Sequence, residues 1–214
     1  MHPLTNKITG LYAIADTGTL DDGELFEKVR MVLGGGCRIL QYRDKSCHEE
    51  KRLRQATELR KMCSHAGTLF IINDDAELAM QVNADGVHCG KEDATVRETR
   101  ARHPGLLIGA SCYNSLSRAL QAVNDGADYI AFGSFFLSST KPQAKAADLE
   151  TLQQAKKMFE QPIVAIGGII AENAEILISS GASAVAVISG VFLTPNPRLS
   201  SRKIAALFDE QVKM

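Results

Sequence analysis

The sequence predicts a (β/α)8 (TIM) barrel, and three observations predict it. Short apolar segments alternate with amphipathic helical segments along the chain, the pattern of a parallel sheet connected through helices. Eight such units share 214 residues, roughly 27 each, near the lower size limit of an eightfold barrel. The same punctuation, a glycine helix stop followed at once by apolar residues, recurs in Asp125-Gly126-Ala127-Asp128 and Ser180-Gly181-Ala182-Ser183. A doubly wound open sheet is the alternative. No composition shift or Pro/Ser-rich linker divides the chain, so residues 1–214 read as one domain.

Each element has a local reason. Residues 11–16 are a short apolar strand and 17–23 a polar loop. Residues 24–33 form a helix with Leu25, Phe26, Val29 and Leu33 on one face, ended by Gly34-Gly35-Gly36. Residues 38–42 are strand two. Ser46 and Glu49 have capping-box spacing for a long helix with a buried stripe of Leu53, Ala56, Leu59 and Cys63, stopped by Gly67. Leu69-Phe70-Ile71-Ile72, four large apolar residues ending in Asn73-Asp74-Asp75, read as a buried third strand with a helix from about Ala76. Strand four is 86–89 and its helix 94–102; Pro104-Gly105 break the chain before strand five, 106–111. A helix over 115–124, strand six over 129–132, a helix over 149–159, strand seven over 162–166 and strand eight over 184–188 complete the pattern.

Composition narrows the function classes. Hydrophobic content of 45% and charged content of 23% are ordinary for a globular protein. A formal net charge of −1 leaves no basic footprint for nucleic acid. No apolar run approaches a membrane span, and the N-terminal residues lack a signal-peptide apolar region. The five cysteines are odd in number and scattered, without the spaced pairs of a zinc site. Reduced thiols and a cytoplasmic location are therefore expected.

The chemistry collects at strand ends, where parallel α/β folds bind ligands. Asn73-Asp74-Asp75 and Lys91-Glu92-Asp93 end neighbouring apolar segments, so their carboxylates can share a hard cation, which usually implies a phosphate. Asp74 or Asp75 also suits a helix cap. Alternation puts Gln41, Arg43 and Lys45 on one side of strand two, where an amide and two cations suit a polyphosphate better than a core. An ion pair of Arg43 or Lys45 with Asp44 or a neighbouring carboxylate is the alternative. Gly167-Gly168 and Ser189-Gly190 follow strands seven and eight, where barrels often hold phosphate. The stretch from Phe135 to Lys145 is rich in hydroxyls and cations and too long for a bare connector. Its residues 138–147 read as a lid.

These segments together carry a resemblance. Gln41-Tyr42-Arg43-Asp44-Lys45, Asn73-Asp74-Asp75, Asp85-Gly86-Val87-His88, Glu92-Asp93, Gly109-Ala110-Ser111, Ser139-Thr140-Lys141, Ala165-Ile166-Gly167-Gly168-Ile169 and Val187-Ile188-Ser189 occur in this order. Over about residues 11–190 the chain resembles the thiamine-phosphate synthase family. The resemblance implies a transferase of thiamine biosynthesis that joins hydroxymethylpyrimidine diphosphate to a thiazole phosphate, releases pyrophosphate and requires Mg²⁺. It implies Asp74 and Asp93 as metal ligands and Gln41, Arg43, Lys45, Asn73 and Lys141 around the diphosphate. Ser111 would lie beside the pyrimidine, Ser138 and Thr140 near the thiazole, and Gly168, Ile188 and Ser189 on its phosphate. Arg43, Lys45, Ser111 and Lys141 would be catalytic. Lys91 and Tyr113 depart from residues frequent in the family, glutamine and histidine, and put substrate detail in question. Small-molecule substrates are the expected partners, without nucleic acid or membrane, and a homo-oligomer is left open. A thiazole tautomerase and a non-catalytic regulatory protein binding thiamine precursors are the alternatives; the tautomerase would not need the diphosphate grip, and the regulatory protein would release no pyrophosphate. His88 reads as buried structure rather than a base.

Overall fold

A computed structural model describes residues 2–90, 95–137 and 147–211. Eight parallel strands close into a barrel in sequence order: β1 (Gly10–Asp16), β2 (Ile39–Arg43), β3 (Leu69–Asn73), β4 (Gly86–Cys89), β5 (Leu107–Tyr113), β6 (Tyr129–Gly133), β7 (Ile163–Ile166) and β8 (Ala184–Val187). β8 returns to β1 through Gly10↔Ala184 to Ala13↔Val187, which closes the ring and excludes the open-sheet alternative. The helices outside are α1 (Leu25–Leu33), α2 (Glu49–Ala66), α3 (Ala76–Gln81), α4 (Val96–Arg102), α5 (Leu116–Asn124), α6 (Leu149–Met158), α7 (Ala171–Ser179), the short α8 (Ser189–Phe192) and α9 (Pro197–Gln211).

Both faces of the strands are apolar because one lines the barrel and the other meets the helices. Tyr12, Ile14, Ile39, Leu69, Ile71, Leu107, Tyr129, Ala131, Val164, Ala184 and Ala186 form the interior cluster. The alternate residues, among them Leu11, Leu40, Phe70, Ile72, Val87, Ile108, Val185 and Val187, join the larger cluster under the helices. Small residues make room for large ones: a side chain at Gly109 would start 2.0 Å from the Tyr129 ring.

Two local expectations need correction. The Ser46–Glu49 capping box does not form: α2 starts after His48, and the Ser46 N–H is drawn onto the Asp44 carboxylate at 2.7 Å. Asp44 thereby pulls Ser46 back into the β2 loop. Leu53 lies on the exposed side of α2, and Gln55 takes the buried place, accepting from the Tyr42 hydroxyl at 2.7 Å. The box that does form is Thr95–Glu98, at the start of α4. Gly67 has φ 67°, the left-handed stop expected of it. The five cysteines form no disulfide, and among the described residues no helix is long and apolar enough to cross a membrane.

Candidate active site

The C-terminal ends of β1 to β5 bring most of the described polar candidates together. β2 has the predicted alternation: Gln41 is buried inside the barrel and Arg43 follows at its rim. The Arg43 guanidinium donates to the Asp16 carboxylate of β1 at 2.5 Å, and Asp16 is itself fixed by the Gly18 N–H at 2.9 Å. Lys45 is largely exposed, its ammonium 3.4 Å from the Asp74 carboxylate. Both cations thus form the ion pairs that the sequence left open as the alternative, with neighbouring carboxylates of the mouth, Asp16 and Asp74, rather than with Asp44. The Asp44 carboxylate instead binds the Ser46 N–H and the Tyr42 hydroxyl, and those contacts with Lys51 hold it below its usual pKa against the opposing effect of burial.

Asp74 and Asp75 divide the two roles open to them. Asp75 is the cap of α3, accepting the Leu78 N–H at 2.9 Å, and it also pairs with Arg52 at 2.5 Å. Asp74 has φ 65°, a left-handed conformation that aspartate tolerates better than most residues. Its N–H donates to the His88 carbonyl at 2.9 Å. Its carboxylate takes the Gly90 N–H at 3.1 Å and the Asn73 amide at 2.5 Å. The turn therefore directs Asp74 away from the helix and toward the cations. An open cleft of about 440 Å³ runs outward from here, with Lys45, Arg52, Asn73, Asp74 and Arg102 in its wall.

Ser111 stands at the end of β5, its hydroxyl 2.9 Å from His88 Nε2. Burial pushes His88 down to a pKa of about 4, against the pull of Asp74, so the imidazole is neutral at neutral pH. Across the mouth, Gly168 has φ 62°, and a side chain there would start 2.5 Å from the Leu137 carbonyl oxygen. Substitution at Gly168 would thus disturb the β6 loop as well as any ligand. That loop is fastened along β7 by the Phe135 and Phe136 N–H groups on the Ile166 and Gly167 carbonyls. Asn173 clamps the same turn, donating to the Gly168 carbonyl at 3.0 Å and accepting the Ile170 N–H at 2.8 Å. Ile188 precedes α8, whose first N–H groups, on Ser189 and Gly190, have no intrahelical acceptor. Asp93, Ser138, Thr140, Lys141 and all of the predicted lid except Ala147 lie outside the described residues.

Sequence reasoning missed Asp16, Tyr12, Tyr129 and Asn173. A carboxylate closing the first apolar strand was the available signal for Asp16, the same one that marked Asp74. For the tyrosines it was a large hydroxyl-bearing ring in strands otherwise made of aliphatic and small residues, since a buried tyrosine needs a partner.

The family model described as thiamine monophosphate synthase matches residues 11–191. A thiamine-phosphate synthase of Acidithiobacillus ferrooxidans is 45% identical over 208 residues, 95% of this chain and 96% of that protein. One from Chromobacterium violaceum is 45% identical over 203 residues, 94% and 97% of the two chains. The solved thiamine phosphate pyrophosphorylase from Pyrococcus furiosus superposes with a TM-score of 0.88 at 33% identity, covering 97% of this chain and 98% of its own. A 3-hexulose-6-phosphate synthase from Salmonella typhimurium, at 17% identity and a TM-score of 0.73, covers 94% of this chain and 99% of its own and shares the fold alone. A match across nearly the whole barrel, with relatives at 45% identity over almost their full length, means that this chain belongs to the thiamine monophosphate synthase family.

Proposed function

We propose that this barrel mouth condenses an aminopyrimidine methyl diphosphate with a thiazole phosphate, giving thiamine phosphate and pyrophosphate. The observation that carries this reading is the convergence of Arg43, Lys45, Asn73 and Asp74 on one side of the mouth, a grip for a diphosphate and its metal, with Gln41 and Ser111 just beneath it. On the opposite side, Gly168 and the first turn of α8 offer bare backbone N–H groups suited to a second, single phosphate. Two anion sites facing each other match two phosphorylated substrates. A thiazole tautomerase would need only the second.

The C–O bond between the pyrimidine's methylene carbon and the diphosphate breaks, and the thiazole nitrogen's lone pair forms the new C–N bond. The aminopyrimidine ring is electron-rich enough to stabilise the positive charge on that carbon. Arg43 and Lys45, with Lys141 as the family pattern implies, offset the negative charge that grows on the departing diphosphate. The mouth holds the nitrogen facing the carbon. No proton has to be removed from the nucleophile, so a neutral, buried His88 fits a reaction without a general base.

The donor set fits a magnesium ion. Mg²⁺ binds through one or two carboxylates together with substrate phosphates and water. Asp74 supplies one hard oxygen ligand not taken up by a helix cap, and Asp93 is the second in the family pattern. When bound, the ion supplies charge neutralisation at the leaving group. Cysteines without a disulfide suit a reducing cytoplasm.

The test is a purified-protein assay with both substrates and Mg²⁺, following pyrophosphate and thiamine phosphate together. Equal amounts of both are expected. A tautomerase or a binding protein would release no pyrophosphate.

A further inference from the structure

Five polar side chains cross the barrel just beneath its mouth in one hydrogen-bonded chain. Gln41 Nε2 donates to Tyr12 Oη at 2.7 Å, and Tyr12 Oη lies 3.0 Å from Tyr129 Oη. Tyr129 Oη is 3.2 Å from His88 Nδ1, and His88 Nε2 is 2.9 Å from Ser111 Oγ. Both phenols are buried, and among the described residues neither hydroxyl has another hydrogen-bond partner.

Counting protons gives the chain a direction. The Gln41 amide nitrogen can only donate, so Tyr12 accepts there. Each phenol has a single proton. If Tyr129 donated to Tyr12, the Tyr12 proton would face an apolar interior with no acceptor, the costly state for a buried donor. Tyr12 therefore donates to Tyr129, and Tyr129 donates to His88 Nδ1. The one proton of the neutral imidazole then sits on Nε2 and is given to Ser111 Oγ. Ser111 accepts from below, which leaves its own proton for the mouth. Gln41 donates from its nitrogen, which leaves its carbonyl oxygen.

We propose that Tyr12, Tyr129 and His88 are positioning residues that preset Gln41 as an acceptor and Ser111 as a donor for an aminopyrimidine. Such a ring carries an exocyclic amine, which donates, beside a ring nitrogen, which accepts. A 4-oxo analogue reverses both: its oxygen accepts, and the adjacent nitrogen is protonated. A pair fixed from below cannot turn to suit it, and the mismatch leaves polar groups unpaired. The substrate half of this inference rests on the proposed condensation, whereas the chain itself is a property of the protein without ligand.

Two measurements test it. In ligand-free protein labelled with ¹⁵N-histidine, two-bond ¹H–¹⁵N spectra at pH 7 should show His88 as the neutral Nε2–H tautomer, assigned by its loss in His88→Gln. Tyr129→Phe should convert that signal to a mixture of tautomers. In the condensation, Tyr129→Phe should lower kcat about tenfold and reduce the preference for the amino over the 4-oxo diphosphate by a similar factor. The KM for thiazole phosphate should not move, which a merely structural role would not ensure. An Nδ1–H tautomer in the unaltered protein means the chain runs the other way and overturns the proposal. So does a Tyr129→Phe protein with the same tautomer and the same discrimination. If Tyr129→Phe does not fold, Tyr12→Phe interrupts the chain one link earlier and is held to the same readings. Failure of the unaltered protein to condense the two substrates at all would overturn the functional reading, and the substrate half with it. The tautomer, read without substrate, decides the chain alone.

Discussion

Aspartates stand at both ends of the barrel, and their partners differ in kind. At the N-terminal end, one Asp85 oxygen accepts the Phe70 N–H of β3 at 2.8 Å and the Arg60 guanidinium of α2 at 3.1 Å. Asp128 repeats the arrangement with the Ile108 N–H of β5 at 2.9 Å and Arg100 of α4 at 2.5 Å. Each of these carboxylates ties a barrel strand to an outer helix. At the C-terminal end, Asp16 and Asp74 accept N–H groups of loops, Gly18 and Gly90, and their cations come from β2 and the residues just after it. These carboxylates tie no helix to the barrel; they hold Arg43 and Lys45 at the mouth. The same side chain thus serves stability at one end and charge placement at the other, in line with the division of labour in this fold.

Variants at the two ends should separate activity from stability. The largest effect is expected of Asp74→Asn, which keeps the size and the tolerance for φ 65° but removes the negative charge. Turnover should fall on the order of a hundredfold or more, with a melting temperature close to that of the unaltered protein. A large loss of thermal stability would erase the distinction between the ends. At the other end, Asp128→Ala leaves the Ile108 N–H and the Arg100 guanidinium without their acceptor. This should cost about 3 kcal/mol in denaturant unfolding and lower the melting temperature by on the order of 10 °C. The kcat per folded molecule should be retained.

Asp16→Asn sharpens the comparison within the mouth. It should leave Arg43 in place but less firmly aimed, lowering kcat about tenfold while substrate-independent stability changes little. A kcat equal to that of the unaltered protein would reduce the Asp16–Arg43 pair to a structural contact without a part in turnover. The smallest effect is a pH dependence. Burial lowers His88 to about 4 in the folded protein from an ordinary 6.5, so the unfolded chain binds its proton first as pH falls. Its contribution is unchanged above about pH 7 and becomes increasingly destabilising from there toward about 4. Between pH 6.5 and 5.5 the loss should be about 1 kcal/mol. The slope of stability against pH over that interval should be shallower in His88→Gln; parallel slopes would show that the imidazole is not kept neutral by burial.

Much of the site was legible because it sits where hydrophobic patterning stops. Arg43, Asn73, Asp74 and Ser111 each end an apolar run, and a polar residue at that place has few other uses in a parallel sheet. The Ser46–Glu49 box failed for a reason local pattern does not contain: Asp44, two residues earlier, competes for the Ser46 N–H and wins by forming its own turn. Leu53 failed because a helix over a barrel buries only the stripe it turns inward, and Gln55 enters that stripe through its bond to Tyr42.

The sequence by itself determined the barrel, through eight apolar segments of strand length separated by helix stops, and it determined which chemistry gathers at the strand ends. Periodicity reports which side a residue faces, and burial of apolar area makes that side the inner one. The tertiary structure alone decided the partners across the barrel. Tyr12 and Tyr129 are 117 positions apart yet share a hydrogen bond, and Asp16 reaches Arg43 only because β1 and β2 pair in one register. Such contacts depend on how a closed ring of strands staggers, a property of the whole sheet that no single segment carries.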